Sequence, residues 1–221
     1  MCWAPTPREV LSSAAAMARP TIVLPAFLSR GYHFRTDVPA QVAASGHTGV
    51  TVTAALGPCP QMVRLLADRL VESGWCRGDA VILGAAGTSD PVALRDLHTT
   101  ATWLSAAVDS RVELAFAATG RPRVAEAVSA MRRRGHTRVV VASYLLSEGL
   151  FADRLRASGA DVVTEPLGLH PSTVRLVANR FLAADLDVAV RRDAGGVHRH
   201  RDVGIVEAAA VVERERLLLD R

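Results

Sequence analysis

Two stretches of this chain are versions of one another, and that duplication limits the fold more than any other feature. Thr21–Val38, TIVLPAFLSRGYHFRTDV, aligns with Val139–Arg156, VVVASYLLSEGLFADRLR. Each is an apolar run, then Leu-Ser-x-Gly, then a charged stretch of helical character. A second pair follows, Leu56-Gly57-Pro58-Cys59-Pro60 and Leu167-Gly168-Leu169-His170-Pro171. Val63-Arg64-Leu65 and Val174-Arg175-Leu176 come next, then Arg69 and Arg180. A repeat of this length points to two tandem lobes of one fold. The copies differ where chemistry is concerned. His33 stands two residues after Gly31, whereas Phe151 stands two residues after Gly149.

Hydrophobic periodicity alternates between strand and helix. In the second copy the predicted order is strand Ala80–Leu83, helix Val92–Val108, strand Arg111–Ala117, helix Arg123–Arg134, strand Arg138–Ala142, helix Leu150–Ala157, strand Asp161–Thr164 and helix Ser172–Phe181. In the first it is helix Glu9–Met17, strand Thr21–Leu24, helix Asp37–Ala44, strand Val50–Thr53 and helix Gln61–Glu72. Short β-branched strands between helices make βαβ units, so the expected fold is α/β: two tandem parallel-sheet lobes with helices on both faces. The first lobe is incomplete, because nothing before Glu9 matches residues 80–117. A parallel sheet without its first strand has an open edge. Either the chain begins late or another element fills the place. The expected divisions are residues 1–75, 76–184 and 185–221, the last a charged linker (Arg191–Asp202) followed by helical character over Val203–Leu219.

Composition narrows the classes. Apolar residues make up 49% and charged residues 22%, an ordinary globular balance. No apolar run is long enough to span a membrane, and the first residues, MCWAPTPREVLSS, lack the apolar core of a signal peptide. Cys2, Cys59 and Cys76 are far apart and form no Cys-x-x-Cys, which argues against a structural zinc site and for a reducing, cytoplasmic setting. The sequence holds no lysine, and all 26 basic residues are arginine, which is read as base-composition bias. A pI of about 9.6 and a net charge of +4 suit an anionic ligand. Arg132-Arg133-Arg134 closes a helix, where cations suit the dipole, and no aromatic interleaving or nucleic-acid motif accompanies it.

The run Pro25–Pro39, PAFLSRGYHFRTDVP, resembles the second active-site motif of the CbiX/SirB sirohydrochlorin chelatases, P-x-F-L-x-x-G-x-H-x-x-x-D-[IV]-P, with His33 in register. Ala54–Pro60 and Glu165–Pro171 look like that family's P-L-G-x-H-P segment. GAAGTSDP, residues 84–91, is similar to its opening G-H-G-S-R-D-P, with Ala86 where the family has a catalytic histidine. The resemblance covers about residues 5–182 and is to the long, two-lobed form.

What this resemblance implies is a lyase that inserts Co²⁺ or Fe²⁺ into sirohydrochlorin, in cobalamin or sirohaem biosynthesis. The metal is substrate, and no further cofactor is required. The alternative is a non-catalytic paralogue that binds a tetrapyrrole or a metal. His33 corresponds to the second of the family's two histidines, as metal ligand and base; the first would lie in the stretch that copy one lacks. The chemistry of the residues agrees. Neutral imidazole is a borderline ligand for such ions and titrates near neutral pH, and a partly filled site releases metal more readily than a closed cage. Asp37, four residues on, is positioned to orient the ring if one helical turn links them. Arg30 and Arg35 flank His33 as partners for the substrate's carboxylates, with Gly31 in the motif between them. The expected partner is a sirohydrochlorin-like tetrapyrrole, with no nucleic acid and no membrane; the oligomeric state is left open.

Other polar residues are read as structural. Ser89 or Asp90 N-caps a helix, with anion binding at Gly87–Asp90 as the rival account. His98 belongs to a helix face, His136 to a surface turn and His170 to turn packing. His198-Arg199-His200 is read as part of a solvated basic linker.

Overall fold

The computed structural model describes residues 5–194. Cys2, His198, His200 and the segment expected to be helical after Val203 lie outside the described residues. The chain forms two compact units. One holds residues up to Ala26, Phe34–Ala54 and the chain from Val177; the other holds Phe27–His33 and Ala55–Leu176. These units interleave and do not follow the ends of the repeated blocks.

The first unit begins with α1 (Pro7–Leu11) and α2 (Ala14–Met17). The sequence pattern predicts one helix here. Ser13 interrupts it by taking extended backbone and accepting the Ala16 N–H on its hydroxyl, so it caps a new helix. Thr6 and Glu9 form a reciprocal capping box at the start of α1. Strands β1 (Thr21–Val23) and β2 (Val50–Val52) pair in parallel, joined through a π-turn (His33–Asp37) and α3 (Val38–Ala44). His47, buried between them in sequence, accepts the Gly49 N–H on Nδ1 at 3.0 Å. Its Nε2 therefore carries the proton and donates to the Arg19 carbonyl at 3.0 Å.

The second unit holds α4 (Pro60–Glu72), β3 (Ala80–Gly87), α5 (Pro91–Val108), β4 (Val112–Thr119), α6 (Val124–Arg133), β5 (Val139–Tyr144), α7 (Leu150–Arg156) and β6 (Val162–Val163). The four strands are parallel, in the order β4-β3-β5-β6. The first six residues of β3 and all of β5 are buried, as the near-continuous apolar runs of a sheet covered on both faces require. Alternation sorts the faces. Ala80, Ile82, Val139 and Val141 join Val128, Met131 and Leu155 of α6 and α7 in one cluster. Val81, Leu83, Val140 and Ala142, equally buried, point the other way, towards α4 and α5, which pack on each other and on the sheet. Helix α8 (Pro171–Ala194) runs well past Phe181, where the sequence pattern places its end, and into the stretch expected to be linker.

The duplication is visible in the backbone. The Thr53 N–H donates to the Val23 carbonyl, and the Thr164 N–H to the Val141 carbonyl, each at 2.9 Å. The last helix of each copy leaves its own block's strands. Helix α4 belongs to the unit of β3–β6, and most of α8 belongs to the unit of β1 and β2.

Candidate active site

After β1 the chain runs through Leu24–Tyr32 and enters the π-turn at His33. Four anchors hold the part that groups with the second unit. The Phe27 carbonyl accepts the Gly57 N–H at 3.1 Å. The Leu28 carbonyl accepts the Tyr144 hydroxyl at 2.9 Å. Asp96 on α5 accepts three hydrogen bonds from Arg30: its backbone N–H at 2.7 Å and Nε at 3.0 Å on one oxygen, and Nη2 at 2.6 Å on the other. Gly31 packs closely on Ala93, one turn earlier on the same helix.

The electrostatics follow from burial. The Asp96 side chain is 4% exposed and that of Arg30 55%. Desolvation pushes the Asp96 carboxyl up, but Arg30's side-chain and backbone hydrogen bonds and its charge outweigh this, and the group stays below its ordinary range. Arg30 is held above its own by the same contact. Burial drives the Tyr144 phenol well above its usual value, so it remains a donor to Leu28.

His33 is exposed. It is not enclosed in a helix–sheet interface. The Tyr32 ring stands edge-on to it, with centroids 5.9 Å apart and planes at 78°. His33 and Asp37 open and close the π-turn, and Arg35 lies exposed between them. Short π segments inside helical runs occur frequently at functional sites. The sequence pattern predicts a helix only from Asp37; here α3 is preceded by this turn, so His33 is carried by a helical segment and not by open loop.

In the second copy the matching positions are apolar. Ala86 at the end of β3 and Phe151 on α7 pack against the same cluster of Ile82, Leu145 and Leu155. Glu148 stands where copy one has Arg30, and it pairs twice with Arg156 on its own α7, at 2.6 and 2.7 Å. Among the described residues no group of three or more His, Cys, Asp or Glu side chains comes together to hold an ion.

Asp90 and His170 have structural duties. Asp90 caps α5 through the Val92 and Ala93 N–H groups. His170 accepts the Ser172 N–H on Nδ1 at the start of α8, and its Nε2 lies 3.2 Å from Glu72. His98 is exposed on α5 and lines a shallow cavity of about 370 Å³ with Arg111, Glu113, Arg121 and Arg134. His136 is exposed in the turn after α6. Cys59 is buried and Cys76 exposed, and both are free thiols. No helix of the described residues is long and apolar enough to cross a membrane. Sequence reasoning missed Asp96 and Tyr144. The signal for Asp96 was available: it lies three residues after Ala93 and beside Leu97, on the face of α5 that the apolar spacing assigns to the core.

The CbiX family model matches residues 2–73 and 80–184, which together span both copies. No curated protein matches the sequence. Among solved structures, SirB from Bacillus subtilis with Fe³⁺ is 20% identical, with a TM-score of 0.67 over 88% of this chain and 81% of that one. SirB from Bacillus subtilis subspecies spizizenii in complex with cobalt gives 20% identity and a TM-score of 0.59, over 88% and 80%. CbiX, described as the terminal enzyme for biosynthesis of sirohaem in denitrifying bacteria, gives 18% and 0.58, over 79% and 81%. At these identities the structural likeness establishes the fold, and the match across both copies establishes the lineage. The chain belongs to the CbiX family.

Proposed function

We propose that this chain acts in the cytoplasm as a sirohydrochlorin chelatase, a lyase that inserts a divalent metal, Co²⁺ or Fe²⁺, on the way to cobalamin or sirohaem. The observation that carries this is an exposed Gly-x-His sequence, Gly31-Tyr32-His33, at the end of an anchored loop in a member of the CbiX family. The metal is substrate, and no other cofactor is needed.

His33 has two tasks in this scheme. Its neutral imidazole takes one coordination position of the arriving ion, leaving the rest to water and to pyrrole nitrogens as they replace it. When the ion enters the macrocycle two pyrrole protons leave; His33 accepts one and solvent the other. Asp37, at the far end of the same turn, orients the ring. The substrate's carboxylates call for guanidinium partners. Arg35 supplies one, and Arg30, half exposed beside Asp96, supplies a second. Gly31 keeps the loop close to α5. Residues 1–75 are the chelatase lobe in this scheme, and residues 76–184 are the lobe that has lost its metal chemistry.

The test is sirohydrochlorin with Co²⁺, followed through the macrocycle's visible spectrum. His33→Ala should lower the rate by about 10²–10⁴, the usual worth of a positioned base. A rate unchanged by His33→Ala would overturn the proposal. A non-catalytic, tetrapyrrole- or metal-binding role is the second reading. It is favoured by the lack, among the described residues, of any cluster of three ligating side chains. It predicts tight sirohydrochlorin binding with no metal-dependent spectral change.

A further inference from the structure

We infer that Asp96 is a positioning residue for the metal-handling loop: it fixes the main chain at Arg30, and so determines where Gly31-Tyr32-His33 presents the imidazole. This rests on the reading of His33 given above. It also assigns a purpose to the second copy, which supplies Asp96, Ala93 and Tyr144 as a rigid seat for the chemistry of the first.

Asp96 is the one carboxylate among the buried described residues. A helix packing on a sheet has no need of a charge on its inner face, and a buried carboxylate is costly unless fully partnered. The partners come from a single residue 66 positions away. An ordinary ion pair tethers only side-chain tips. Here the same carboxylate also takes the Arg30 backbone N–H, so both the guanidinium and the Ser29–Arg30 peptide plane are held. Gly31 against Ala93 and Leu28 under the Tyr144 hydroxyl fix the chain on either side. His33 follows three residues later, with little slack between.

The second copy provides an internal control. Its matching residue, Glu148, has the opposite charge and pairs eight residues away with Arg156, so that loop closes on itself. The copy without the histidine lacks this long-range anchor, and the copy with the histidine has it.

The experiment uses the full chain, with Asp96→Asn, which keeps the shape and removes the charge, and Arg30→Lys, which keeps the charge and removes the fork. NMR follows exchange of the Arg30 amide and the His33 ring resonances, with amides of β3 and β5 as reference. Co²⁺ insertion into sirohydrochlorin is measured in parallel. Asp96→Asn should speed exchange at Arg30 and shift the His33 ring signals while exchange in β3 and β5 stays unchanged. It should lower kcat about ten- to a hundredfold, the scale of a small misplacement of a reacting group. Arg30→Lys should fall between this variant and the wild type. Equal acceleration of exchange at Arg30 and in the sheet, or unmoved His33 signals, would overturn the inference. Loosening confined to the loop, in a protein that does not chelate, would support the positioning role and overturn the functional reading alone.

Discussion

The α-carbon of Gly57 faces the backbone carbonyl of Leu28 so closely that no side chain fits between them. The duplication repeats the relationship at Gly168 and Leu146. In each copy the Leu-Gly of the second block closes on the Leu-Ser-x-Gly of the first, which explains why the two motifs are duplicated together. The Gly57 position is further closed by the Tyr144 hydroxyl. Gly57→Ala and Gly168→Ala should each destabilise by about 1–3 kcal/mol, because the obstacle is backbone and cannot rotate away. Urea unfolding at unchanged m-value would register the loss as a lower midpoint. A neutral result at either position would mean that the loop gives way there.

Tyr144 is fully buried and its hydroxyl serves the Leu28 carbonyl. Tyr144→Phe removes a donor without removing packing. The expected cost is about 1–2 kcal/mol, the range for leaving a largely buried acceptor unpaired. Faster amide exchange around residues 27–31 should accompany it. Slower exchange there would contradict the assignment of this bond as an anchor.

Acid should release the same loop. The carboxyl of Asp96 is held below its ordinary range, with Arg30 and, more weakly, Arg95 as the charges facing it. A lowered folded value means that the unfolded chain binds the proton first, so this contribution is complete above the ordinary aspartate value of about 4. It is lost as pH falls through the lowered folded value. Stability measured from pH 6 downward should therefore drop more steeply in the wild type than in Asp96→Asn. Parallel curves would show that the pair adds nothing to pH dependence.

In the first unit, His47 ties Gly49 to Arg19 through its two ring nitrogens. His47→Ala should cost about 1–3 kcal/mol by leaving the Gly49 N–H without its acceptor and the Arg19 carbonyl with the Thr21 hydroxyl alone. His33→Ala, on an exposed ring, should leave the free energy of unfolding within about 0.5 kcal/mol of wild type. Thermal or urea denaturation of the two variants side by side separates the structural histidine from the one assigned to chemistry.

The sequence by itself determined the α/β class, the duplication, the strand–helix order, and the place of His33 within a Gly-x-His motif. These are properties of local pattern: apolar period, turn residues and short motifs act within a few positions of one another, so they can be read without knowing what packs on what. The tertiary structure decided what lies at long range. Asp96 reads as an odd acid on an apolar helix face until Arg30, 66 residues earlier, arrives to neutralise it. Ser12-Ser13 reads as helix interior until Ser13 turns to cap α2. Helices α4 and α8 read as the ends of their own copies, yet most of each belongs to the unit of the other copy's strands. Pairing across tens of residues depends on which buried surfaces and charges meet, and no periodicity along the chain encodes that choice.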